Sequence, residues 1–338
     1  MRIVLCYPIE PRHLAQIRAA ALGHEVVDAG QERIAEEILE ADIFCGHAKV
    51  PIPWREVVRR GRLKWIQSSA AGLDHCLTPE TIASPIVVTS ASGLFADAVA
   101  EQAMALILGL LRGLPQFFRA QQRHEFVRRP TRDLHEATVG IVGLGGNGTR
   151  LAQVLRPFRT RIVATDVFPQ EPPEGVEAVW PPEELARLLA VADIVVLCVP
   201  LNESTRGMIA ARELAQMKPG ALLINVARGP VVVERDLVAA LQSGHLGGAG
   251  LDVTEVEPLA PESPLWDLPN VLITPHVGAQ SRWRADRTTQ LVCENLRRYF
   301  AGRPLINLVD KRLGFPTPAA RRGEVPTPFG AGPADASS

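Results

Sequence analysis

Residues 138–155 read TVGIVGLGGNGTRLAQVL, and this stretch decides the fold of the chain. A strand-like run, Thr138–Val142, leads directly into the glycine pattern G-x-G-x-x-G at 143–148, and a helix-like segment follows. In that context the first glycine permits a tight turn, the second lets the backbone approach a pyrophosphate, and the third lets the helix pack on the strand. The helix N-terminus adds unpaired N–H groups and the positive end of its dipole. The predicted contacts of a bound dinucleotide in this loop are Gly143, Gly145, Gly146, Asn147 and Gly148.

Asp166 indicates which dinucleotide the loop binds. This residue follows the next predicted strand, Arg161–Thr165, where a carboxylate accepts hydrogen bonds from the ribose hydroxyls of the adenosine. A carboxylate at that place also repels a 2′-phosphate, and Val-Phe-Pro at 167–169 supply no cation to bind one. We therefore expect the cofactor to be NAD(H) rather than NADP(H).

Strand-like and helix-like segments alternate on both sides of the glycine loop. Strands are expected at 2–7, 25–28, 42–45, 64–67 and 86–89, and again at 137–142, 161–165, 193–199, 221–226, 248–253 and 270–274. An alternation of this kind implies parallel sheets with helices on both faces. The predicted fold class is therefore α/β, with two doubly wound parallel-sheet domains.

Length and charge agree with two domains and exclude several classes of protein. The chain has 338 residues, and its 36 basic and 37 acidic side chains give a net charge of −1. Because there is no global basic field, nucleic acid and anionic membranes are not expected as partners. No apolar run reaches the roughly 18–20 residues of a membrane span. The best candidate, 98–111, contains Glu101 and Gln102.

The cysteines and the first residues indicate a cytoplasmic protein. The five cysteines are an odd number and are scattered without CxxC spacing, which predicts reduced, mostly buried thiols and no metal site. The first residues, MRIVLCYP, become polar too early for a signal peptide and are typical of a first strand.

Two further segments carry expectations of their own. Residues 97–112 have the pattern of a long helix that is apolar on one side, as expected for packing against a second layer, an adjacent domain or a second subunit. Beyond Gly314, prolines at 316, 318, 326, 328 and 333 mix with Ala, Gly and Ser. Residues 315–338 are therefore predicted to be disordered.

Three polar residues follow late strands of the second run, at the edge where open α/β sheets bind their ligands. Arg228 can bind a planar carboxylate through two parallel hydrogen bonds. His276 is a natural proton donor when a carbonyl becomes a hydroxyl, and Glu257, hydrogen-bonded to it, would orient the ring and favour its protonated form. Each residue alone is more often structural, but the three together, behind a nucleotide loop, predict a catalytic site.

The segments around these residues resemble the D-isomer-specific 2-hydroxyacid dehydrogenase family. The matching stretches are NVARG at 225–229, LDV at 251–253 with EP at 257–258, and TPHVG at 274–278. Two more segments are similar to the family's cofactor loop and to the start of its interdomain helix: CVPLN at 198–202 with TRG at 205–207, and AVAE at 98–101.

The resemblance implies a reversible hydride transfer between nicotinamide and C2 of a 2-oxo or D-2-hydroxy acid. Arg228 would bind the substrate, His276 would act as acid and base, and Glu257 would pair with it. The backbone N–H groups of Ala71 and Gly72 would bind the substrate carboxylate. Further contacts with the cofactor are implied for Val199, Pro200, Thr205, Val226, Ala227, Arg228, Asp252, His276 and Gly278.

The resemblance also implies a discontinuous substrate domain. Residues 1–97 and 281–314 would form a flavodoxin-like substrate domain, and 98–280 would form a Rossmann NAD-binding domain inserted into it. Family members are usually homodimers through their cofactor domains, with the interdomain helix in the interface, so a homodimer is expected here.

The function and the substrate stay open at this point. The rival function is an NAD(H)-sensing scaffold, similar to the transcriptional corepressors that share the fold and the catalytic residues. Among enzymes, a glyoxylate, hydroxypyruvate or compact phosphoglycerate enzyme fits. A formate dehydrogenase fits poorly, because Glu257 stands where the resemblance places a glutamine in that enzyme. Substrate specificity is expected to come from the loops at 48–51 and 68–73.

Overall fold

The computed structural model describes residues 1–168 and 171–323. Its described residues divide into two units, one made of Met1–Leu94 together with residues 282–323, the other of the described residues between Phe95 and Ser281. The sequence predicts these divisions at 97/98 and 280/281, three residues and one residue away from the observed ones. The second unit is an insertion within the first.

The first unit begins with strands and helices in strict alternation. Along the chain they are β1 (Arg2–Cys6), α1 (Pro11–Ala20), β2 (Glu25–Asp28), α2 (Gly30–Glu37), β3 (Ile43–Gly46), α3 (Trp54–Arg60), β4 (Trp65–Ser68), α4 (Pro79–Ala83) and β5 (Val87–Thr89). The strands form one parallel sheet in the order β2-β1-β3-β4-β5. This is the order of flavodoxin-like doubly wound sheets, so the predicted fold of this part is confirmed.

The strands of this sheet are apolar because helices cover both of its faces. Ile3 and Leu5 in β1 belong to one buried cluster, together with Ile17 of α1. Val4, which lies between them, belongs to the opposite cluster, together with Ile34 of α2. Successive side chains of a strand point to opposite faces, so a strand buried on both faces has to be apolar throughout.

The second unit opens with two helices, and strands with intervening helices or loops follow. Among its described residues the elements are α5 (Ala96–Leu111), α6 (Leu114–Gln122), β6 (Thr138–Val142), α7 (Gly146–Leu155), β7 (Arg161–Thr165), β8 (Val176–Trp180), α8 (Leu185–Val191), β9 (Ile194–Leu197), α9 (Ala211–Gln216), β10 (Leu222–Asn225), α10 (Glu234–Gln242), β11 (Gly248–Leu251) and β12 (Val271–Ile273). The strands are all parallel, in the order β12-β11-β10-β9-β6-β7-β8. The order reverses between β6 and β9, and doubly wound sheets bind their ligands at such a switch point. The predicted Rossmann fold is confirmed.

The sequence prediction omits one strand of this sheet, β8. It is the edge strand, and only Val176 among its residues is buried. It pairs with β7 through an irregular register between Ile162 and Val163. An edge strand with one buried side chain gives no clear alternation of apolar and polar residues, which is the pattern that predicts strands.

Helix α5 is buried in the core of its own unit. Val99 and Ile107 share one apolar cluster with Ile224 of β10. The helix lies close to the sheet, because a Cβ atom added to Gly250 in β11 would come within 2.9 Å of the Leu106 Cβ atom. The apolar side of this helix therefore packs on the sheet of the same unit, which was one of the three possibilities that the sequence left open.

Among the described residues, no single helix is long and apolar enough to cross a membrane. Taken together, α5 and α6 have the length and apolar composition of a membrane span, but the two helices meet at a bend of 67°. The buried face of α5 already accounts for its apolar composition.

The chain returns to the first unit through α11 (Arg284–Phe300). Val292 and Leu296 of this helix join the cluster beneath β1. Asn295 is fully buried, and its Nδ2 group donates to Gln67 Oε1 at 2.7 Å and to the Ile306 carbonyl at 2.9 Å. Its Oδ1 atom accepts from the Ile306 N–H at 2.8 Å. One amide therefore ties α11 both to β4 and to the segment that follows the helix.

The last described elements correct the prediction of disorder from residue 315. They are β13 (Val309–Asp310), β14 (Phe315–Pro316) and α12 (Pro318–Arg321), and the two strands pair in antiparallel fashion. The Thr317 side chain caps the helix by accepting a hydrogen bond from Ala320 N at 3.3 Å. Prolines are compatible with this structure because an edge strand and the first turn of a helix do not need every N–H group. Residues 324–338 lie outside the described residues, and for them the prediction stays untested.

Replacing Asn295 by leucine, a residue of similar volume, should destabilise the first unit. The substitution leaves the buried N–H and carbonyl groups of Ile306 without their partner, and an unsatisfied buried polar group costs about 1–3 kcal/mol. Gln67 Oε1 loses one of its two donors and keeps the Thr89 hydroxyl. We expect the free energy of unfolding, measured in urea, to fall by about 2–3 kcal/mol. Arg297→Gln on the exposed side of the same helix is the matched control, and an equal loss in both variants would contradict the role of Asn295.

Candidate active site

The structure places the glycine loop between β6 and α7, where main-chain segments approach closely. Gly143 has a φ of +95°, and a Cβ atom on it would lie 3.0 Å from the carbonyl carbon of Cys198. A Cβ atom on Gly148 would lie 2.1 Å from the Gly143 carbonyl oxygen. A side chain at either position would push the loop away from the strand or the helix. The loop therefore fits the phosphates of a dinucleotide at the N-terminus of α7.

Asp166 lies directly after β7 and is oriented by the backbone around it. Its Oδ2 atom accepts from the Leu144 N–H of the glycine loop at 2.8 Å, and its Oδ1 atom accepts from the Phe168 N–H at 2.9 Å. A carboxylate has about four acceptor positions, so both oxygens can still accept from ribose hydroxyls. The half-buried carboxylate is thus fixed in place beside the loop.

The loop after β9 lies on the other side of the switch point, and it contains Val199, Pro200 and Thr205. The Thr205 hydroxyl donates to the Pro200 carbonyl at 2.6 Å and accepts from the Asn202 N–H at 2.9 Å. The side chain of Thr205 therefore holds a tight turn beside the glycine loop. The predicted contact of this residue with the cofactor remains a prediction.

Arg228 follows β10 in an extended conformation, and a buried asparagine shapes its loop. Asn225 Oδ1 accepts from the Ala227 N–H at 3.0 Å, and Asn225 Nδ2 donates to the Arg228 carbonyl at 3.0 Å. A Cβ atom on Gly229 would lie 1.7 Å from the Thr254 carbonyl oxygen, so the Arg228 loop packs directly on the loop that follows β11. The sequence analysis missed the roles of Asn225 and Gly229.

Glu257 and His276 form the hydrogen-bonded pair that the sequence predicts. His276 Nδ1 lies 2.8 Å from Glu257 Oε2, and the two side chains are 43% and 39% exposed. An ionised carboxylate only accepts, so the imidazole carries its hydrogen on Nδ1, and Nε2 is left for exchange of a proton. Glu257 is held in turn by the Thr254 N–H, which donates to Oε1 at 3.3 Å. The pair has the geometry of an oriented acid–base group.

Other residues predicted to contact the cofactor lie along the same edge of the sheet. Val226 and Ala227 are buried in the loop after β10. Asp252 follows β11 and is only 3% exposed, and its carboxylate accepts from the backbone N–H groups of Val277 and Gly278. The structure therefore brings Asp252 and Gly278 into contact, on the inner side of the loop that contains His276.

In the first unit, Ala71 and Gly72 lie in the loop after β4. Ser68 holds the start of this loop, because its hydroxyl accepts from the Ala70 N–H at 3.0 Å. Ala71 is exposed and Gly72 is half-buried. Within the described residues, neither of their backbone N–H groups donates a hydrogen bond. Two such N–H groups can bind an anion.

Two histidines that the sequence analysis did not single out lie close to this loop. His47 and His75 follow β3 and β4, and their rings stack with centroids 4.0 Å apart at an angle of 18°. His75 Nε2 lies 3.4 Å from the Ser68 hydroxyl. The two histidines come together because β3 and β4 are neighbouring parallel strands that end level with each other, at Gly46 and Ser68. The sequence gives only this indirect indication of their contact.

A dinucleotide loop, a guanidinium and an oriented histidine–glutamate pair at one sheet edge define a nicotinamide-dependent dehydrogenase. Comparison with known proteins gives the family. Residues 104–278 match the family model described as "D-isomer specific 2-hydroxyacid dehydrogenase, NAD binding domain". The chain belongs to this family, and the predicted enzyme class and nicotinamide cofactor are confirmed.

Individual relatives support the assignment over most of the chain. The glyoxylate reductase of Korarchaeum cryptofilum is 32% identical over 289 residues, which cover 83% of this chain and 86% of the relative. The D-3-phosphoglycerate dehydrogenase of Mycobacterium tuberculosis is 32% identical over 86% of this chain, but the match covers only 56% of that relative. The crystal structure of the NADPH-dependent glyoxylate/hydroxypyruvate reductase of Sinorhizobium meliloti, in complex with NADP and sulfate, superimposes with a TM-score of 0.79 at 30% identity. That match covers 93% of this chain and 99% of the other.

Proposed function

We propose that the protein interconverts a small 2-oxo acid and its D-2-hydroxy acid, with His276 as the acid and base. The observation that carries this proposal is the 2.8 Å pair of His276 and Glu257 at the sheet edge that also bears the dinucleotide loop. When bound there, the nicotinamide cofactor supplies or accepts the hydride at C2 of the substrate.

Arg228 binds and polarises the substrate in this proposal. Its guanidinium can donate two parallel hydrogen bonds to the carboxylate and the carbonyl oxygen of a 2-oxo acid, which fixes the acid in one orientation. Positive charge beside the carbonyl oxygen stabilises the negative charge that develops there during reduction. The backbone N–H groups of Ala71 and Gly72 are proposed as further donors to the carboxylate.

His276 supplies the proton in the reducing direction. Glu257 holds Nδ1–H, so the proton leaves from Nε2 to the substrate oxygen as the carbonyl becomes a hydroxyl. The carboxylate of Glu257 also stabilises the positive charge of the ring before the transfer. In the oxidising direction the same nitrogen accepts the proton.

Glyoxylate or hydroxypyruvate is the proposed substrate. The glyoxylate reductase of Korarchaeum cryptofilum and the glyoxylate/hydroxypyruvate reductase of Sinorhizobium meliloti are relatives with these activities. Ala48 in the loop after β3, and Ala70 and Ala71 in the loop after β4, are small residues in the loops expected to select the substrate. Small side chains there suit a compact acid.

Replacing His276 by alanine should abolish most of the turnover. We expect kcat for reduction of glyoxylate and hydroxypyruvate to fall by roughly 10²–10⁴-fold, because general acid catalysis is lost. Binding of NADH, followed by its fluorescence, should persist, since the glycine loop and Asp166 are unchanged. His135→Ala, which removes an exposed histidine of the same unit, should keep full activity.

Unimpaired turnover in the His276 variant would refute the assigned acid and base. A wild-type protein that binds NADH tightly but reduces none of a panel of 2-oxo acids would instead support the NAD(H)-sensing scaffold.

We also propose that the enzyme prefers NADH, because Asp166 places a negative charge where NADPH carries its 2′-phosphate. The NADPH-dependent neighbour makes the opposite preference the second candidate. Asp166→Asn keeps the shape and removes the charge, so the ratio of kcat/KM for NADPH to that for NADH should rise about tenfold. Glu177→Gln, which removes an exposed charge from β8, is the control. A wild-type preference for NADPH would overturn this proposal.

We also propose a homodimer, but its support is no longer the apolar side of α5, on which the sequence analysis relied. Because α5 is buried in its own unit, the support comes instead from two exposed phenylalanines that lie close in sequence, Phe118 of α6, at 56% exposure, and Phe126, at 98%. We propose that a second copy of the chain covers them.

A cytoplasmic location remains a proposal as well. It is supported by the five cysteines, which are all free thiols, and burial raises the pKa of the Cys198 thiol to about 12.

Changing Phe118 and Phe126 together to serine should give a monomer. Loss of two large apolar contacts weakens an interface at its centre, where most of the binding energy lies. Sedimentation velocity should show a dimer for the wild type and a monomer for the double variant. Phe158→Ser, at an exposed phenylalanine elsewhere on the same unit, should remain a dimer. A monomeric wild type would contradict the proposal.

A further inference from the structure

A chain of polar side chains runs from helix α5 to the backbone of the loop that contains His276. Gln102 Nε2 lies 2.8 Å from the Thr274 hydroxyl, and that hydroxyl lies 2.6 Å from Asp252 Oδ1. Oδ1 also accepts from the Val277 N–H at 3.0 Å, and Oδ2 accepts from the Gly278 N–H at 2.8 Å. Gln102 is not among the residues proposed to contact the substrate or the cofactor.

The loop needs this support because of its backbone conformation. His276 has a φ of +53°, in the left-handed region that residues with a Cβ atom rarely adopt. Its N–H donates to the Asp252 carbonyl at 2.7 Å, and the Asp252 carboxylate binds the two N–H groups that follow. Asp252 therefore holds the main chain on both sides of the His276 Cα atom. The direction of the imidazole toward Glu257 depends on that hold.

The direction of each hydrogen bond in this chain is fixed by the groups that take part. An ionised Asp252 carboxylate can only accept, so the Thr274 hydroxyl donates its single hydrogen to Oδ1. The hydroxyl oxygen must then accept from its other neighbour, and the amide of Gln102 presents an N–H group there. Gln102 also packs against the loop itself, since a Cβ atom added to Gly278 would lie 3.5 Å from its Cγ atom.

We propose that Gln102 is a positioning residue for His276, acting through Thr274 and Asp252. The amide orients the Thr274 hydroxyl toward Asp252, and the carboxylate holds residues 276–278 in the conformation that directs the imidazole to Glu257. This inference rests on the proposed role of His276 as acid and base.

The sharpest test reverses one hydrogen bond. Gln102→Glu keeps the length of the side chain but replaces the donor by an acceptor, so two carboxylates compete for the one hydrogen of Thr274. We expect kcat with glyoxylate or hydroxypyruvate to fall about tenfold or more, because a small displacement of a catalytic group has effects of this size. The KM for the 2-oxo acid and the binding of NADH should be unchanged. Glu101→Gln, at the exposed neighbouring position, is the matched control and should keep wild-type kcat.

A double-mutant cycle separates positioning from loss of folding. Gln102→Met and Thr274→Val each remove one link without adding a charge, and both should lower kcat. If the residues act as one chain, the double variant is no slower than the more damaged single variant. Independent losses that multiply, or a full kcat in Gln102→Glu, would overturn the proposal. Thermal unfolding of every variant identifies any that fails to fold. If Gln102→Glu fails to fold, the test is the cycle of Gln102→Met and Thr274→Val.

The wild type and His276→Ala are assayed in parallel. If the wild type turns over 2-oxo acids and His276→Ala does not, the proposed function stands. The result for the Gln102 variants then tests only whether Gln102 positions His276. If His276→Ala remains fully active, the failure lies with the assigned acid and base instead.

Discussion

Parallel pairing in the second unit is the constraint on which the whole site depends. Leu197, Asn225, Leu251 and Ile273 are partners in one continuous register across β9, β10, β11 and β12, so the four strands end level with one another. The loops that follow them are therefore collected at one edge, although their residues are far apart in the chain. A shift of one residue in any of these strands would turn its side chains to the opposite face and would separate the loops. The apolar residues of the strands, buried on both faces, thus determine where Arg228, Glu257 and His276 lie.

Loops at such an edge also need partners for their backbone groups, and short polar side chains provide them. Asp166, Asn225 and Asp252 each stand at or just after the end of a strand. Asp166 and Asp252 accept from N–H groups of a neighbouring loop, and Asn225 accepts from an N–H group of its own loop. These side chains are fixed by the backbone that they support. One class of residue therefore shapes the loops, while Arg228, Glu257 and His276 are left for chemistry.

The extent of sequence prediction follows from the same physics. Strands buried on both faces and the glycine loop have strong local patterns, so the two sheets and the class of enzyme were predictable. Strand β8 was missed because an edge strand with one buried residue has no such pattern. The strand and helix after residue 314 were missed because they are short and rich in proline, a composition that is typical of disordered segments. The packing of Gly229 against Thr254 and the stacking of His47 on His75 depend on which strands are neighbours. That information comes only from the tertiary fold.

Two adjacent polar residues in the apolar helix α5, Glu101 and Gln102, have different roles. From the sequence, Glu101 and Gln102 serve together as polar residues that argue against a membrane span. The structure separates them: Glu101 is exposed, whereas Gln102 is half-buried and hydrogen-bonded to Thr274. A half-buried amide on an apolar helix is costly unless it is paired, and its partner here leads to a buried carboxylate that needs donors in turn. Each member satisfies the next, so the polar chain is stable only when complete. A helix whose apolar face builds the core therefore also contributes, through one amide, to the conformation of the loop that contains His276.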